Sequence, residues 1–186
     1  MAFGGVGVMQ RYTYRVRGIR RVSNKPVITR DRLVELLSYD EDSGNLVWNV
    51  RRRGQVNPGD IAGHLDATGY VHARLDGRLY KAHRLVWLHV TGAWPLNCLD
   101  HIDGNRANNR FGNLRDVVER VNRENRRTAD ADSATGVLGT SPHGRGYMAQ
   151  IVAHGRHHYL GTHDTVEQAH EAYVEAKRKL HVGCTL

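Results

Sequence analysis

The chain has no long hydrophobic run. Its longest apolar stretch near the middle, Leu85-Val86-Trp87-Leu88, is broken by His89, far short of the ~20 residues a membrane helix needs. The first residues lack the positive start, apolar core and cleavage site of a secretory signal, so a cytoplasmic setting is expected. Two cysteines, Cys98 and Cys184, are too few for a disulfide framework or a four-thiolate zinc site. They read as ordinary thiols in a reducing compartment. Aromatic residues make up only 7%, which leaves no signature of the stacked aromatic strands of common RNA-binding modules. What remains is 186 residues, 40% hydrophobic and 25% charged. This is a soluble, folding composition, long enough for one ordinary domain or two to three small ones.

Acid is missing from one place in particular. Residues 1–30 contain none, yet they carry seven basic residues: Arg11, Arg15, Arg17, Arg20, Arg21, Lys25 and Arg30. That arm holds +7 of the net +8, leaving +1 for the rest. Such a segment reads as polyanion-binding, because Lys and Arg release counterions from a phosphate backbone. A second run, Arg51-Arg52-Arg53, precedes a turn-like stretch ending at Pro58-Gly59. These three are DNA-contact candidates or a solvated loop.

Periodicity divides the chain into an arm (1–28), a central region (29–127, with its core at 82–127), a linker (128–134) and a small C-terminal module (135–186). Thr29 is a plausible cap for a short helix with Leu33, Val34, Leu36 and Leu37 on its apolar side. Asp42-Ser43-Gly44-Asn45 turns into Leu46-Val47-Trp48. Val71, Ala73 and Leu75 alternate with polar residues before Asp76-Gly77, a two-residue hairpin signal. The period becomes helical over Ala82–His89, and Trp94-Pro95 closes that unit. Leu99-Asp100-His101-Ile102 reads as a strand, 103–112 as a polar loop and 114–126 as a helix with Val117, Val118 and Val121 on one face. In the tail, 135–163 shows strand alternation. Residues 165–181 form a helix with a Thr165/Gln168 capping box and a stripe of Val166, Ala169, Ala172, Tyr173, Ala176 and Leu180.

The chemistry concentrates between 100 and 122. Asp100 and His101 are adjacent, and on a regular strand they point to opposite faces unless a bend re-aims one. The following helix is expected to return Asn122 to Asp100. A carboxylate and an amide oxygen are hard ligands suited to Mg²⁺ or Mn²⁺, and a neutral imidazole beside them can deprotonate water near pH 7.

Ala82-His83-Arg84-Leu85-Val86-Trp87, Gly92-Ala93-Trp94-Pro95, Asp100-His101-Ile102-Asp103-Gly104-Asn105, Asn108-Asn109-Arg110, Asn113-Leu114-Arg115 and Asn122-Arg123-Glu124-Asn125 resemble HNH endonucleases of the phage homing type. The resemblance spans roughly 40–127. It implies a strand–strand–helix unit holding one divalent metal, Mg²⁺ or Mn²⁺, per active site. It assigns Asp100 and Asn122 as metal ligands, His101 as general base and Asn113 as the residue that pins the loop and orients the histidine. Asn109 becomes a second loop anchor, and Asn125 a weaker substitute for Asn122. It also implies a bacterial or phage-infected cell.

Thr135-Gly136-Val137-Leu138-Gly139-Thr140, Tyr147-Met148-Ala149-Gln150-Ile151, Tyr159-Leu160-Gly161-Thr162 and Glu167-Gln168-Ala169-His170-Glu171-Ala172-Tyr173 resemble the APETALA2-type DNA-binding domain. That resemblance implies a three-stranded sheet packed on one helix and laid in a DNA groove. Alternation independently places Ala149, Ile151 and Leu160 inward, and Gln150, Val152, His157 and Tyr159 outward. Arg145, Gln150, His157, Tyr159 and Thr162 are the DNA-contact candidates. This face has fewer arginines than the plant pattern and several histidines (His143, His154, His157, His158), which reads as phosphate positioning more than base reading. The histidines are expected to be solvated.

The expected fold class is therefore α+β: a strand–strand–helix metal nuclease unit plus a small three-stranded sheet on one helix. The expected function is metal-dependent hydrolysis of double-stranded DNA, with a monomer nicking one strand and a dimer as the alternative assembly. The competing function is a catalytically silent DNA-binding regulator or architectural protein.

Overall fold

The computed structural model describes residues 27–185. The expected basic arm lies outside the described residues except for Val27 and Ile28. Ile28 is buried, and its N–H donates to the Tyr80 hydroxyl at 3.1 Å, so the chain enters the core before residue 29.

Helix α1 (Arg30–Leu36) starts where Thr29 offers its hydroxyl to the Arg32 N–H at 3.3 Å, satisfying one of the orphan donors of the first turn. Leu33 and Leu36 are buried, but Val34 faces water at 39% exposure. A seven-residue helix, under two turns, presents too narrow a stripe to bury it as well. Leu37 leads instead into strand β1 (Leu37–Tyr39), paired antiparallel with β2 (Leu46–Trp48). The Asp40 carboxylate closes the turn between them, accepting from the Ser43 hydroxyl and the Asp42 N–H.

Strands β3 (His64–Leu65), β4 (Val71–Leu75) and β5 (Arg78–Lys81) form an antiparallel sheet in chain order. Asp76 and Gly77 both have positive φ, 46° and 80°, the pair of left-handed residues that matches a two-residue hairpin to strand twist. Ala73 and Leu75 point inward from β4 and meet α2 (Ala82–Thr91) through Leu85 and Val86. Gly92, in the left-handed region at φ 79°, ends that helix by donating to the Leu88 carbonyl, three residues before Pro95. Trp94 stacks on Tyr80 with ring centroids 5.9 Å apart.

Next come β6 (Cys98–His101), a 3₁₀ turn (Phe111–Asn113), β7 (Leu114–Val117) and α3 (Glu119–Glu124). The expected helix over 114–126 is therefore corrected: its first four residues are a strand, antiparallel to β6 with Asp100 opposite Arg115. Val117 lies on that strand, Val118 is the exposed residue before the helix and Val121 is inside it, so they share no helix face. A segment this short with so few apolar residues fits either period, and pairing with β6 decides this one.

The C-terminal sheet runs β10 (Arg156–His163), β9 (Gly146–Ala153), β8 (Thr140–His143), all antiparallel, with α4 (Val166–Leu180) across one face. Both bonds of the Thr165/Gln168 capping box form. Ala149, Ile151 and Ala153 are buried against Ala169 and Tyr173. Lys177 also lies in this seam with no exposed surface, which the apolar stripe did not anticipate. Its ammonium donates to the Arg126 carbonyl, joining α4 to the chain just after α3. Burial pushes its pKa down. The chain is thus α+β with small sheets. Among the described residues, no helix is long and apolar enough to cross a membrane.

Candidate active site

The β6–β7 hairpin and α3 form one side of a cleft of about 590 Å³, and the β3–β4 loop with Leu65, Gly69 and Tyr70 forms the other. Asp100 and His101 are buried at 7% and 4% exposure, yet both line this cleft. The expected bend or bulge is not needed: they sit at the end of β6, where the loop folds back over the strand.

The loop is built almost entirely from its own side chains. Asp103 Oδ1 accepts from Asn113 Nδ2 at 2.9 Å and from the Asn105 N–H at 2.8 Å. Its Oδ2 accepts from Asn108 Nδ2 at 2.6 Å. Asn113 Oδ1 accepts from the Asp103 N–H at 3.0 Å, and the Asn113 carbonyl from the Ile102 N–H at 2.9 Å. Asn113 thus ties both ends of the loop together, and Gly104 supplies a required left-handed turn at φ 75°. The Tyr39 hydroxyl accepts from the Phe111 N–H at 2.8 Å, anchoring the loop to β1.

This framework buries Asn109 and places its Oδ1 3.3 Å from His101 Nε2. With an amide oxygen there, Nε2 carries the proton and Nδ1 keeps the lone pair. The His101 ring meets His83 edge-on at 5.0 Å and Tyr70 at 6.1 Å. Burial lowers the pKa of His101, opposed by Asn109 and the charges of Asp103 and Asp100. His83 falls to about 3, through burial first and then the neighbouring His101 and Lys81. Both imidazoles are therefore neutral at pH 7.

Asp100 is held from two sides. Arg115 donates Nε and Nη2 to Oδ2 at 2.9 and 2.8 Å. Asn125 Nδ2 lies 3.2 Å from Oδ1, 3.0 Å from Oδ2 and 3.0 Å from the His101 carbonyl. The amide brought to Asp100 is therefore Asn125 and not the expected Asn122. The two are one helical turn apart, and because α3 begins only at Glu119, the later one reaches the strand. Asn122 lines the same cleft.

The cleft is strongly basic. Arg106, Arg123, Arg126 and Arg127 all line it. Arg106 is steadied by the Thr68 carbonyl at 2.9 Å and by the Tyr70 ring at 5.0 Å. Sequence reasoning missed these arginines: Arg123 is on α3, and Arg126 and Arg127 lie just past its end. It also missed Arg115, which only the strand register places opposite Asp100.

The outlying candidates divide. Arg51 and Arg53 are exposed. The Arg52 guanidinium instead sits 4.4 Å over the Trp48 ring and donates to the Arg74 carbonyl at 3.2 Å, a structural placement. Arg145, Gln150, His157, Tyr159 and Thr162 are all exposed. Gln150 pairs with Tyr159 and Val152 with His157 across β9–β10, on the face away from α4. The Tyr159 and Thr162 hydroxyls lie 2.9 Å apart across a register shift. Three of the four histidines, His143, His154 and His157, are exposed, and His158 is half-buried.

Residues 80–124 match the family model of HNH endonucleases. This segment, about a quarter of the chain, is similar to an HNH endonuclease domain. The class is that of a DNA-cleaving hydrolase, and the matched span covers α2, the β6–β7 hairpin, the loop and α3. No curated protein and no solved structure matches the chain.

HNH nucleases typically act with a divalent metal, and the donors here can be tested against one. Among the described residues no group of three or more His, Cys, Asp or Glu is placed to hold a metal. The cleft offers one carboxylate and side-chain amides. Asp100 Oδ2 is committed to Arg115, while Oδ1 takes only the 3.2 Å contact from Asn125. One available carboxylate oxygen among amides fits a hard ion that keeps most of its waters, as Mg²⁺ does.

Proposed function

We propose that the chain is a homing-type endonuclease that binds double-stranded DNA and hydrolyses one phosphodiester bond in the Asp100–His101 cleft. Asp100 and Asn122 would hold the divalent ion, Mg²⁺ or Mn²⁺, which when bound neutralises charge on the phosphoryl and leaving oxygens. His101 acts through Nδ1. It takes a proton from water as the water oxygen bonds to phosphorus and the bond to the 3′ oxygen breaks. Base catalysis of this kind contributes ~10²–10⁴ in rate. Asn109 keeps the proton on Nε2, so that Nδ1 is the basic nitrogen. Asn113 holds the loop that carries Asn109.

Arg106, Arg123, Arg126 and Arg127 bind backbone phosphates along the cleft. The outer face of the β8–β10 sheet, with Arg145, Gln150, His157, Tyr159 and Thr162, serves as an APETALA2-like second DNA contact, with Arg51 and Arg53 as peripheral ones. The basic arm would add to the backbone contacts. A monomer has one such cleft and cuts one strand per encounter.

The observation carrying this reading is a neutral, oriented histidine beside a carboxylate in an arginine-lined cleft. The test is incubation of supercoiled DNA of varied sequence with Mg²⁺ or Mn²⁺, with and without chelator. Metal-dependent relaxed circles, lost in His101→Ala, are expected. DNA that is shifted but never cut by the folded parent chain would favour the silent DNA-binding protein instead.

A further inference from the structure

The segment after α4 does not end on its own module. It crosses to the hairpin–helix unit and bonds to both residues that hold Asp100. The Gly183 carbonyl accepts from Arg115 Nη2 at 2.8 Å, the same nitrogen that donates to Asp100 Oδ2. The Gly183 N–H donates to the buried Glu124 carboxylate at 3.1 Å. Two residues on, Thr185 Oγ1 lies 2.5 Å from Asn125 Oδ1, 2.6 Å from the Ile102 carbonyl and 2.7 Å from Arg127 Nη2.

These bonds fit one orientation of the Asn125 amide. A hydroxyl has one proton and two lone pairs. Arg127 can only donate to it, so the single proton is shared between Asn125 Oδ1 and the Ile102 carbonyl. Asn125 Nδ2 faces three acceptors, the two Asp100 oxygens and the His101 carbonyl, so Oδ1 is the atom left for the Thr185 hydroxyl. The opposite rotamer would set an amide oxygen against a carboxylate. The fit is also tight, since a Cβ added at Gly183 would run into the Val121 carbonyl of α3.

From this geometry we infer that Thr185 is a positioning residue of the active site. Through Asn125, and with the Gly183 carbonyl acting through Arg115, it fixes the Asp100 carboxylate. Cleavage therefore depends on the C-terminal module being seated on the nuclease unit. The inference rests on the proposed reaction, but its physical core, the pinning of Asn125, does not.

The test compares Thr185→Val, which keeps shape and loses the hydroxyl, with Thr185→Ser, which keeps the hydroxyl, both in the full chain. Single-turnover cleavage of supercoiled DNA, DNA affinity in chelator and exchange of the Asn125 side-chain amide protons by NMR are read together. Thr185→Val is expected to cut at least tenfold more slowly on top of any change in DNA affinity, with Asn125 protons exchanging at least tenfold faster. Thr185→Ser restores both. Gly183→Ala, which displaces the segment by another route, is expected to reproduce the Val phenotype. Asn125 protection unchanged in Thr185→Val overturns the inference, as does a cutting loss that merely tracks weaker DNA binding. If the parent chain cuts nothing, the proposed function falls, and the amide exchange still decides whether Thr185 pins Asn125.

Discussion

Arg115 stands directly across the β6–β7 ladder from Asp100 and donates two of its nitrogens to one carboxylate oxygen. The arrangement pairs a nearly buried carboxylate with a guanidinium and leaves its other oxygen turned to a lighter contact. It also carries a cost. A charge taken out of water depends on its partner, and removing one member of a buried pair costs more than the pair contributes.

Arg115→Met should therefore destabilise the chain by about 3 kcal/mol, the low end for a broken buried pair because Arg115 is itself partly exposed. Urea denaturation at pH 7 measures this. Arg115→Lys should recover only part of the loss, since a lysine cannot match the two-nitrogen geometry.

In the proposed mechanism Asn109 acts only by orienting His101 through Nε2. Asn109→Ala should lower the cleavage rate by about 10²-fold, the scale expected of a misplaced catalytic group, with DNA affinity unchanged. A rate equal to the parent's in single-turnover assays would remove Asn109 from the mechanism.

Stability should fall with acid. His83 has an ordinary pKa of 6.5 and one of about 3 in the folded chain. Between those values the unfolded chain binds the extra proton. The stabilising contribution is complete above about pH 6.5 and declines as pH falls toward 3, by up to ~1.4 kcal/mol per pH unit. Urea midpoints at pH 7, 6, 5 and 4 should track this decline. His83→Leu should flatten the profile, and an equally steep slope in that variant would assign the acid sensitivity elsewhere.

Two arginines should separate cleanly. Arg123, exposed on the cleft, should act through phosphate. Arg123→Ala should weaken DNA binding similarly across sequences and reduce the salt dependence of log K by about 0.9. Arg52→Ala should leave that slope intact and lower the melting temperature instead, because Arg52 is packed over Trp48.

Local signals were legible wherever one residue type answers one backbone demand. The Thr29 cap, the Asp76-Gly77 hairpin, the Thr165/Gln168 capping box and the outward position of Gln150 and Tyr159 all follow from turn chemistry, capping and the two-residue strand period. The adjacency of Asp100 and His101 is in the sequence itself, and the clasp made by Asn113 was implied by the family resemblance. Each depends on neighbours within about ten residues, which a sequence displays directly.

What the sequence left open were relationships between segments. Leu114–Val117 reads as well for helix as for strand, and only pairing with β6 makes it a strand and sets Arg115 on Asp100. Asn122 and Asn125 are chemically identical candidates. Where α3 begins decides which one meets the carboxylate, a phase difference of a single turn. Lys177 looks solvated by type, yet burying it against the Arg126 carbonyl is a property of two modules meeting. Thr185 touches Asn125 across 60 residues of chain. The sequence by itself determined the chemistry available and the local geometry that displays it. The partners of Asp100 were decided only by tertiary packing, because contacts between distant segments depend on register and helix phase, and neither is written in any one segment.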